Sequence, residues 1–103
     1  MEITDLFSSI KYQHYINIAT LLECDQYCGK SFIGIAQQFG FNEADINKCK
    51  MAKWTGKMPA LKMLEIINQQ LPDLLIAEFQ EKLIIMERYD VNSYVMNYIL
   101  NCN

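Results

Sequence analysis

The sequence predicts an all-α fold made of six short helices. Apolar residues recur at the three- and four-residue spacing of amphipathic helices, and no segment shows the alternation of a convincing strand. Glycine, proline, asparagine and aspartate interrupt this pattern at short intervals, which indicates short connecting loops. The chain has 103 residues, of which 51% are hydrophobic and 20% charged, a composition typical of one globular domain, here residues 1–103. Helices joined by short loops favour a bundle.

The first half of the chain contains the signals of three helices. The apolar pattern predicts helix one over residues 12–24 and helix two over residues 31–39, and the glycine that follows helix two suits a left-handed stop. Asn42, followed three residues later by Asp45, predicts the N-terminus of a third helix that continues to about Met51. The predicted buried residues are Tyr15, Ile18, Leu21 and Leu22 in helix one, and Phe32, Ile35, Ala36 and Phe39 in helix two.

The second half predicts three more helices. Gly56 and Pro59 mark a loop before helix four, because glycine permits unusual backbone angles and proline fits the first turn of a helix. Pro72 ends helix four, and Asp73 and Asp90 are the expected N-caps of helices five and six. The predicted buried residues are Leu61, Leu64, Ile67 and Leu71 in helix four, Ile76, Phe79, Leu83 and Met86 in helix five, and Val91, Tyr94, Val95 and Tyr98 in helix six.

Charge is distributed unevenly along the chain. The net charge is −3, yet residues 48–62 contain five lysines and no acidic residue. Residues 1–47 carry two basic and six acidic residues, and residues 63–103 have the same balance. The chain is therefore an acidic body with one basic island. The island consists of Lys48, Lys50, Lys53, Lys57 and Lys62 around Trp54, the single tryptophan of the sequence.

The four cysteines are expected to be reduced thiols. Residues 1–10 lack the basic start and long apolar run of a secretory signal, so a disulfide framework is not expected. Cys24 and Cys28 lie four residues apart rather than at the two-residue gap of common zinc knuckles, and His14 is the only histidine. No uncharged apolar stretch approaches the ~20 residues that cross a bilayer. These observations predict a soluble, cytoplasmic protein without a metal or other cofactor.

Residues 31–51 resemble the helix-turn-helix pattern of DNA-binding proteins. Ala36 precedes the turn residue Gly40 by four positions, and an apolar anchor follows in the second helix. The first turn of the supposed recognition helix carries Glu43 and Asp45, which would repel the DNA phosphates. The lysines lie at the other end of this helix. A helix-turn-helix DNA-binding domain is therefore kept as the alternative hypothesis.

A second resemblance extends from about residue 10 to residue 99. The segment LEIINQQLPDLLIAEFQEKLIIMERYDVNSYV, residues 64–95, has an apolar helix that ends before a proline, an apolar stripe in the next helix and an Arg-x-Asp-Val corner at residues 88–91. The segment FIGIAQQFGF, residues 32–41, and the following Asp-Ile pair at residues 45–46 belong to the same pattern. This order of motifs resembles that of death domains, nearest to those of Toll and interleukin-1 pathway adaptors and of kinases such as Pelle and Tube.

Two positions depart from the family pattern. Death domains usually have a tryptophan where Phe32 opens the second helix, and often another late in helix four, where Ile67 stands. Both differences replace one apolar residue by another, which keeps the pattern of the core.

The resemblance implies a six-helix antiparallel Greek-key bundle that works as an intracellular adaptor in innate-immune or apoptotic signalling. Such a module has no catalytic chemistry and assembles with another death-domain protein, or with itself, in a weak or open oligomer. The residue inventory agrees with this implication, since it contains one histidine and no glycine-rich phosphate loop. We therefore expect a non-enzymatic protein that binds neither small molecules nor nucleic acid and does not insert into a membrane.

Two interpretations of the basic island, a solvated helix end and a docking knob, are open ahead of binding to nucleic acid or to a membrane surface. In one, the lysines complement the dipole at a helix C-terminus and the Trp54 ring closes over the end of the core. In the other, an exposed Trp54 with a lysine rim is a docking knob for an acidic face, since tryptophan is enriched at interface hot spots. The residues predicted to bind a partner are Lys48, Lys50, Lys53, Trp54, Lys57, Lys62, Glu43, Asp45, Glu78, Glu81, Glu87 and Asp90.

Overall fold

The computed structural model describes residues 1–24 and 32–100, and these residues form six α-helices. The helices are α1 (Tyr12–Leu22), α2 (Phe32–Gln38), α3 (Glu43–Met51), α4 (Pro59–Gln70), α5 (Ile76–Ile85) and α6 (Tyr89–Tyr94). Further helical segments are two 3-10 turns, Phe7–Ser9 and Ala52–Thr55, and a π-helical continuation of α6, Val95–Leu100. The all-α class is confirmed for this part of the chain, in which none of the helices has the length and apolar character needed to span a membrane.

The helices pack around α1 and α4. α1 contacts α4 and α6, α4 is also packed by α2 and α3, and α5 packs against α2 and α6. The Cα radius of gyration is 12.7 Å, close to the value of about 13 Å for a compact domain of about 100 residues.

Aromatic rings fill the core between the N-terminal segment and α5. Phe79 is fully buried, and its ring centroid lies 4.4 Å from that of Phe7 and 6.0 Å from that of Phe39. The predicted stripe of α5 is buried from Ile76 to Leu83, whereas Met86, just past the end of the helix, is partly buried. The 3.6-residue period therefore predicted the buried face of this helix correctly.

Local signals at the starts of α3 and α4 are confirmed. Asn42 and Asp45 form a capping box, in which the Asp45 N–H donates to Asn42 Oδ1 (2.8 Å) and the Asn42 N–H donates to Asp45 Oδ2 (3.4 Å). Pro59 is the first residue of α4, where its missing N–H costs no helical hydrogen bond. The next N–H, that of Ala60, donates to Glu23 Oε1 (2.7 Å), which ties the end of α1 to the start of α4.

The predicted cap of α5 at Asp73 is wrong. α5 begins at Ile76, and backbone carbonyls of the N-terminal segment accept from its first N–H groups. The Ile76 N–H donates to the Asp5 carbonyl (3.0 Å), and the Ala77 N–H donates to the Ile3 carbonyl (2.9 Å). These carbonyls satisfy the helix end because the tertiary fold brings the N-terminal segment beside it.

Two residues of the predicted apolar stripes lie outside the core. Leu71 leaves the helical conformation (φ −129°, ψ 66°) because it precedes a proline, and its side chain is exposed. Tyr98 lies in the π-helical segment, where the buried residues recur every four positions from Val91 to Ile99 and exclude it. Tyr98 stacks instead on Tyr94, with ring centroids 5.0 Å apart.

A buried ion pair fixes the start of α6. Arg88 is the N-cap residue of α6 and is fully buried. Its Nε and Nη2 donate to the two carboxylate oxygens of Asp90 (3.1 and 3.0 Å), and Nη2 also donates to the Leu21 carbonyl in α1 (2.8 Å). The prediction that Asp90 is the N-cap is therefore wrong. Asp90 lies inside the first turn of α6 and holds the guanidinium there.

Three helical segments end in Schellman geometry, with one residue in the left-handed conformation. Gly40 takes this position after α2 (φ 80°) and Gly56 after the second 3-10 turn (φ 77°), whereas Glu87 takes it after α5 (φ 56°). The N–H groups of Glu87 and Arg88 donate to carbonyls in the last turn of α5 (2.9 and 2.8 Å). Glutamate in this conformation costs on the order of 1 kcal/mol more than glycine.

Phe79→Ala is expected to destabilise the fold by roughly 3 to 5 kcal/mol, because it removes a buried ring that packs on two other phenylalanines. Urea denaturation followed by circular dichroism measures the change in the free energy of unfolding. Tyr12→Ala truncates an exposed ring and is the control, with an expected change within ~0.5 kcal/mol. Equally small changes in both variants would show that Phe79 is not part of the core.

Asp90→Ala is expected to destabilise the fold by roughly 3 kcal/mol at neutral pH, because the buried Arg88 loses its carboxylate partner. Asp73→Ala removes an exposed carboxylate that caps no helix, so it serves as the control and should change the free energy of unfolding by no more than ~0.5 kcal/mol.

The effect of Asp90→Ala is also expected to depend on pH. Desolvation raises the pKa of the Asp90 carboxyl, but hydrogen bonds and charge from Arg88, together with backbone N–H groups, lower it overall below its usual value. The ionised carboxylate therefore stabilises the fold above the usual pKa of about 4, and this contribution is lost as pH falls through the lower folded-state pKa. Urea denaturation at several pH values should show the difference between parent and Asp90→Ala shrinking in acid. A difference of the same size at all pH values would contradict the ion pair.

Candidate protein-docking surface

The 3-10 turn after α3 carries the centre of the basic island. Ala52 is buried and anchors the turn, and the Thr55 hydroxyl donates to its carbonyl (2.9 Å). The Gly56 N–H donates to the Lys53 carbonyl and the Lys57 N–H to the Ala52 carbonyl, both at 3.1 Å. These bonds hold the turn in one conformation, which the left-handed Gly56 closes.

Trp54 projects from this turn into solvent. Its side chain is 87% exposed, and Met51 beside it is 63% exposed. Lys48, Lys50 and Lys53 are exposed as well, and we call these five residues the Trp54 knob. The Trp54 ring therefore does not close over the core, and this part of the first interpretation is wrong. Its other part, in which solvated lysines in the last turn of α3 complement the helix dipole, agrees with the structure.

Lys57 and Lys62 differ from the lysines of the Trp54 knob because both are half-buried. Lys57 Nζ donates to both oxygens of Glu65 (2.8 and 3.0 Å). This hydrogen bond, with the charge of Glu65, raises the pKa of Lys57 against a smaller effect of desolvation. The exposed positive charge of the island is thus concentrated in the three lysines of the Trp54 knob.

An open groove runs beside the Trp54 knob, between the end of α3 and α4. Met51 and Ala52 contribute apolar surface to it, and Lys48, Lys57 and Lys62 contribute its basic edges. Apolar surface with a charged rim is the usual anatomy of a protein-binding site. The charge of these edges suits an acidic partner.

Among the six acidic residues predicted to bind a partner, Asp45, Glu78 and Asp90 have hydrogen bonds that order the starts of helices. Asp45 belongs to the capping box of α3, and Glu78 accepts a hydrogen bond from the Leu75 N–H (3.0 Å). Asp90 is paired with Arg88 and has a mostly buried carboxylate. These three side chains therefore have structural roles, and partner binding by them stays a prediction.

The other three acidic residues, Glu43, Glu81 and Glu87, are exposed. Glu43 opens α3, at the end of that helix opposite to the lysines. Glu81 lies on α5, and Glu87 lies at the corner between α5 and α6. The structure therefore does not bring all the predicted residues into one site, but places the lysines and two of the acids on different helices.

Exposed apolar residues near these two acids were not predicted. They are Ile84, Ile85, Tyr89 and Met96, each between 48% and 59% exposed. We call these four residues the α5–α6 patch. The run of four apolar residues LIIM at 83–86 is a signal that could have revealed part of it, because an amphipathic helix cannot bury four successive side chains on one face.

Cysteine and histidine side chains have structural surroundings. Cys49 is buried, and its pKa is raised to about 11 by burial and, second, by the charge of Asp45. Cys24 is a half-buried free thiol, whereas Cys28 and Cys102 lie outside the described residues. In residues 1–24 and 32–100, no group of three histidine, cysteine or acidic side chains is placed to hold a metal ion.

His14 connects two helices. Its Nδ1 lies 2.8 Å from the hydroxyl of Tyr94, which also accepts a hydrogen bond from the Asn17 amide (2.7 Å). These bonds join α1 to α6, so the half-buried histidine has a structural environment.

Comparisons of the chain with protein-family models, with curated proteins and with solved structures find no match. Function therefore has to be inferred from the geometry and chemistry of the chain itself.

Gly56→Ala and Gly40→Ala are each expected to lower the free energy of unfolding by about 1 kcal/mol or more, because both glycines have positive φ. A Cβ at either position would meet no atom within 4 Å. The cost is therefore conformational in both. Only Gly56→Ala should also alter the fluorescence anisotropy of Trp54, the single tryptophan, because only Gly56 closes its turn. Urea denaturation and anisotropy measure the two effects, and an unchanged stability of both variants would contradict the left-handed turns.

Proposed function

We propose that this chain is a non-catalytic protein-interaction module that docks an acidic partner on the Trp54 knob. Following the resemblance of its sequence, we propose further that it is a death-domain-like adaptor that assembles with other death domains in intracellular signalling. The observation that carries the proposal is the exposure of Trp54, 87%, on a turn that three hydrogen bonds fix and that carries lysines on either side of the ring in sequence.

The energetics of an aromatic ring support this proposal. An indole ring that is buried by a partner removes about 150–250 Å² from water, worth about 4 to 6 kcal/mol before the costs of association. Trp54 gains none of this in the folded monomer, since the ring is exposed. Because the turn is already ordered, little conformational entropy is lost on docking. An exposed tryptophan on an ordered turn is thus well suited to be a hot spot.

Two further observations support the death-domain part of the proposal. α1 contacts α6, α2 contacts α5 and α3 contacts α4, besides the contacts of α1 with α4 and of α5 with α6, and this set of contacts is compatible with a Greek-key bundle. The Arg-x-Asp-Val corner, which carries much of the resemblance, is a structural unit in which Arg88 binds Asp90 and Val91 is buried.

The alternative, a helix-turn-helix DNA-binding domain, has less support. The N-terminus of α3, which would have to approach the bases, carries the exposed Glu43 and the carboxylate of Asp45. The Trp54 knob exposes three lysines. Because the affinity for nucleic acid depends on how many phosphates basic side chains neutralise, so few lysines favour weak binding. A protein partner therefore fits the surface better than a nucleic acid.

The test is capture of partners from extract of the native cell on four immobilised proteins: the parent, Trp54→Ala, Lys53→Glu and a control. The control is Lys11→Glu, which reverses an exposed lysine outside the island. We expect parent and control to retain a second death-domain protein at low salt, and the two knob variants to lose at least ~10-fold of it. Equal capture by all four, or retention of arbitrary duplex DNA at moderate salt, would overturn the proposal.

A further inference from the structure

The α5–α6 patch is a second exposed apolar surface. Tyr89 and Ile85 are the most exposed of its residues, and Ile84 and Met96 are both about half exposed. Large apolar side chains in such a group mark interaction surfaces more often than isolated ones do.

A polar bond between the two helices holds this surface together. The Gln80 amide on α5 donates to Asn92 Oδ1 on α6 (3.0 Å), and Asn92 Nδ2 lies 3.7 Å from Met96 Sδ. Ile84 follows Gln80 by one helical turn, and Tyr89 precedes Asn92 by three residues, so both lie on the same side of the helix pair as this bond. The patch is therefore preformed on two packed helices.

Acidic residues rim the α5–α6 patch. Glu81 lies on α5 and Glu87 at the corner, and both are exposed. Lys82, the basic residue in the last turn of α5, is half-buried. The surface thus combines exposed apolar side chains with a negative edge, whereas the Trp54 knob combines them with a positive edge.

The backbone at Glu87 supplies an independent observation. Two of the three Schellman ends have glycine in the left-handed position, but the end of α5 has Glu87 there, at φ 56°. A glutamate at this position is strained relative to glycine, and strained residues concentrate at functional sites. This conformation is a reason to test whether the Glu87 side chain has a role in binding.

We infer that the α5–α6 patch is the acceptor for the Trp54 knob of a second copy of this chain. Trp54 and Met51 would pack on Ile84 and Tyr89, with the knob lysines opposite Glu81 and Glu87. The inference rests on the proposed function, in which the Trp54 knob is a docking element.

The two surfaces lie on different helices of the chain. α3 and the Trp54 turn pack on α4, whereas α5 and α6 pack on each other and on α2 and α1. Copies that are joined knob to patch form a ring or an open chain, and two copies that exchange knobs form a two-fold dimer. Complementary charge on one molecule favours a second copy over an unrelated partner.

The test uses Trp54 as its own reporter, since it is the only tryptophan. Over a concentration series, emission of the parent should shift to shorter wavelength as the ring is buried, together with a rise in sedimentation coefficient. Both changes should weaken at high salt, which screens charges over about 8 Å at physiological ionic strength and over a shorter distance at higher ionic strength.

The patch variant Ile84→Ser/Glu81→Lys should associate at least ~10-fold more weakly than the parent. Its matched control, Ile3→Ser/Glu2→Lys, changes an exposed isoleucine and glutamate elsewhere and should behave like the parent.

A mixing experiment tests the pairing of the two surfaces. Trp54→Ala has the patch but no tryptophan, and the patch variant has tryptophan but no patch. Each alone should stay monomeric, and their mixture should form dimers but nothing larger, with the blue shift of the single Trp54 present. A mixture without dimers, while the parent assembles, would overturn the pairing.

Glu87→Gly separates folding from docking. Because glycine relieves the left-handed backbone, the melting temperature should stay the same or rise, whereas association should weaken. Association as strong as that of the parent would remove Glu87 from the interface.

The outcomes also distinguish the two proposals. A parent that stays monomeric at all concentrations overturns the inference of a second copy, but leaves the proposed function standing if Trp54→Ala loses a captured protein. A Trp54 blue shift with vesicles containing anionic lipid, in a chain that does not self-associate, would also overturn the inference and assign the knob to a membrane surface.

Discussion

The buried guanidinium of Arg88 is the constraint on which the placement of α6 depends. A charge removed from water is stable only where acceptors surround it, and Asp90 and the Leu21 carbonyl supply them. Since Leu21 belongs to α1 and Asp90 to α6, one side chain joins the central helix to the last one. Apolar replacements of buried ion pairs are often as stable as the pair. We therefore take the main contribution of Arg88 to be the fixing of one arrangement of these helices, because a shift of α6 along α1 would break its bond to the Leu21 carbonyl and take that acceptor from the buried guanidinium.

The same residue shapes the corner between α5 and α6. The Arg88 N–H closes the Schellman end of α5, one position after the left-handed Glu87. A strained backbone conformation persists only when several surrounding interactions impose it. At Glu87 these are the burial of the Arg88 side chain and the hydrogen bond of the Arg88 N–H. The position of Glu87, and with it the negative edge of the α5–α6 patch, follows from the interior of the molecule. The negative edge of the α5–α6 patch thus depends on the buried Arg88.

The sequence predicted those features whose causes are local. The Asn42 capping box, the glycine stops and the proline at the start of α4 each depend on a few neighbouring residues, and each is found where it was expected.

Features that depend on residues distant in the sequence were missed. Asp73 does not cap α5 because carbonyls of the N-terminal segment arrive there through the tertiary fold. Whether Trp54 is buried or exposed could not be predicted from the sequence, because a ring over the core and a ring in solvent both fit the same pattern of lysines and apolar residues. The α5–α6 patch was missed because the stripe of α5 leaves Ile84 and Ile85 outside the core but does not show how α6 packs beside them.

The Trp54 turn and the α5–α6 corner are built with the same device, a helical end closed by a residue in the left-handed conformation. Ordering the backbone of one residue costs about 1–2 kcal/mol, so a docking loop of several disordered residues would lose much of the energy gained from an aromatic anchor. In this chain the backbone of both helical ends is already ordered in the folded monomer, because hydrogen bonds fix it. Docking therefore does not lose this entropy. The remaining limit on affinity is area, since one tryptophan and its rim cover much less than the roughly 800 Å² per partner of a standard interface. Under the proposed pairing, each contact is therefore weak and preformed, and salt and local concentration, rather than a change of fold, control how far copies assemble.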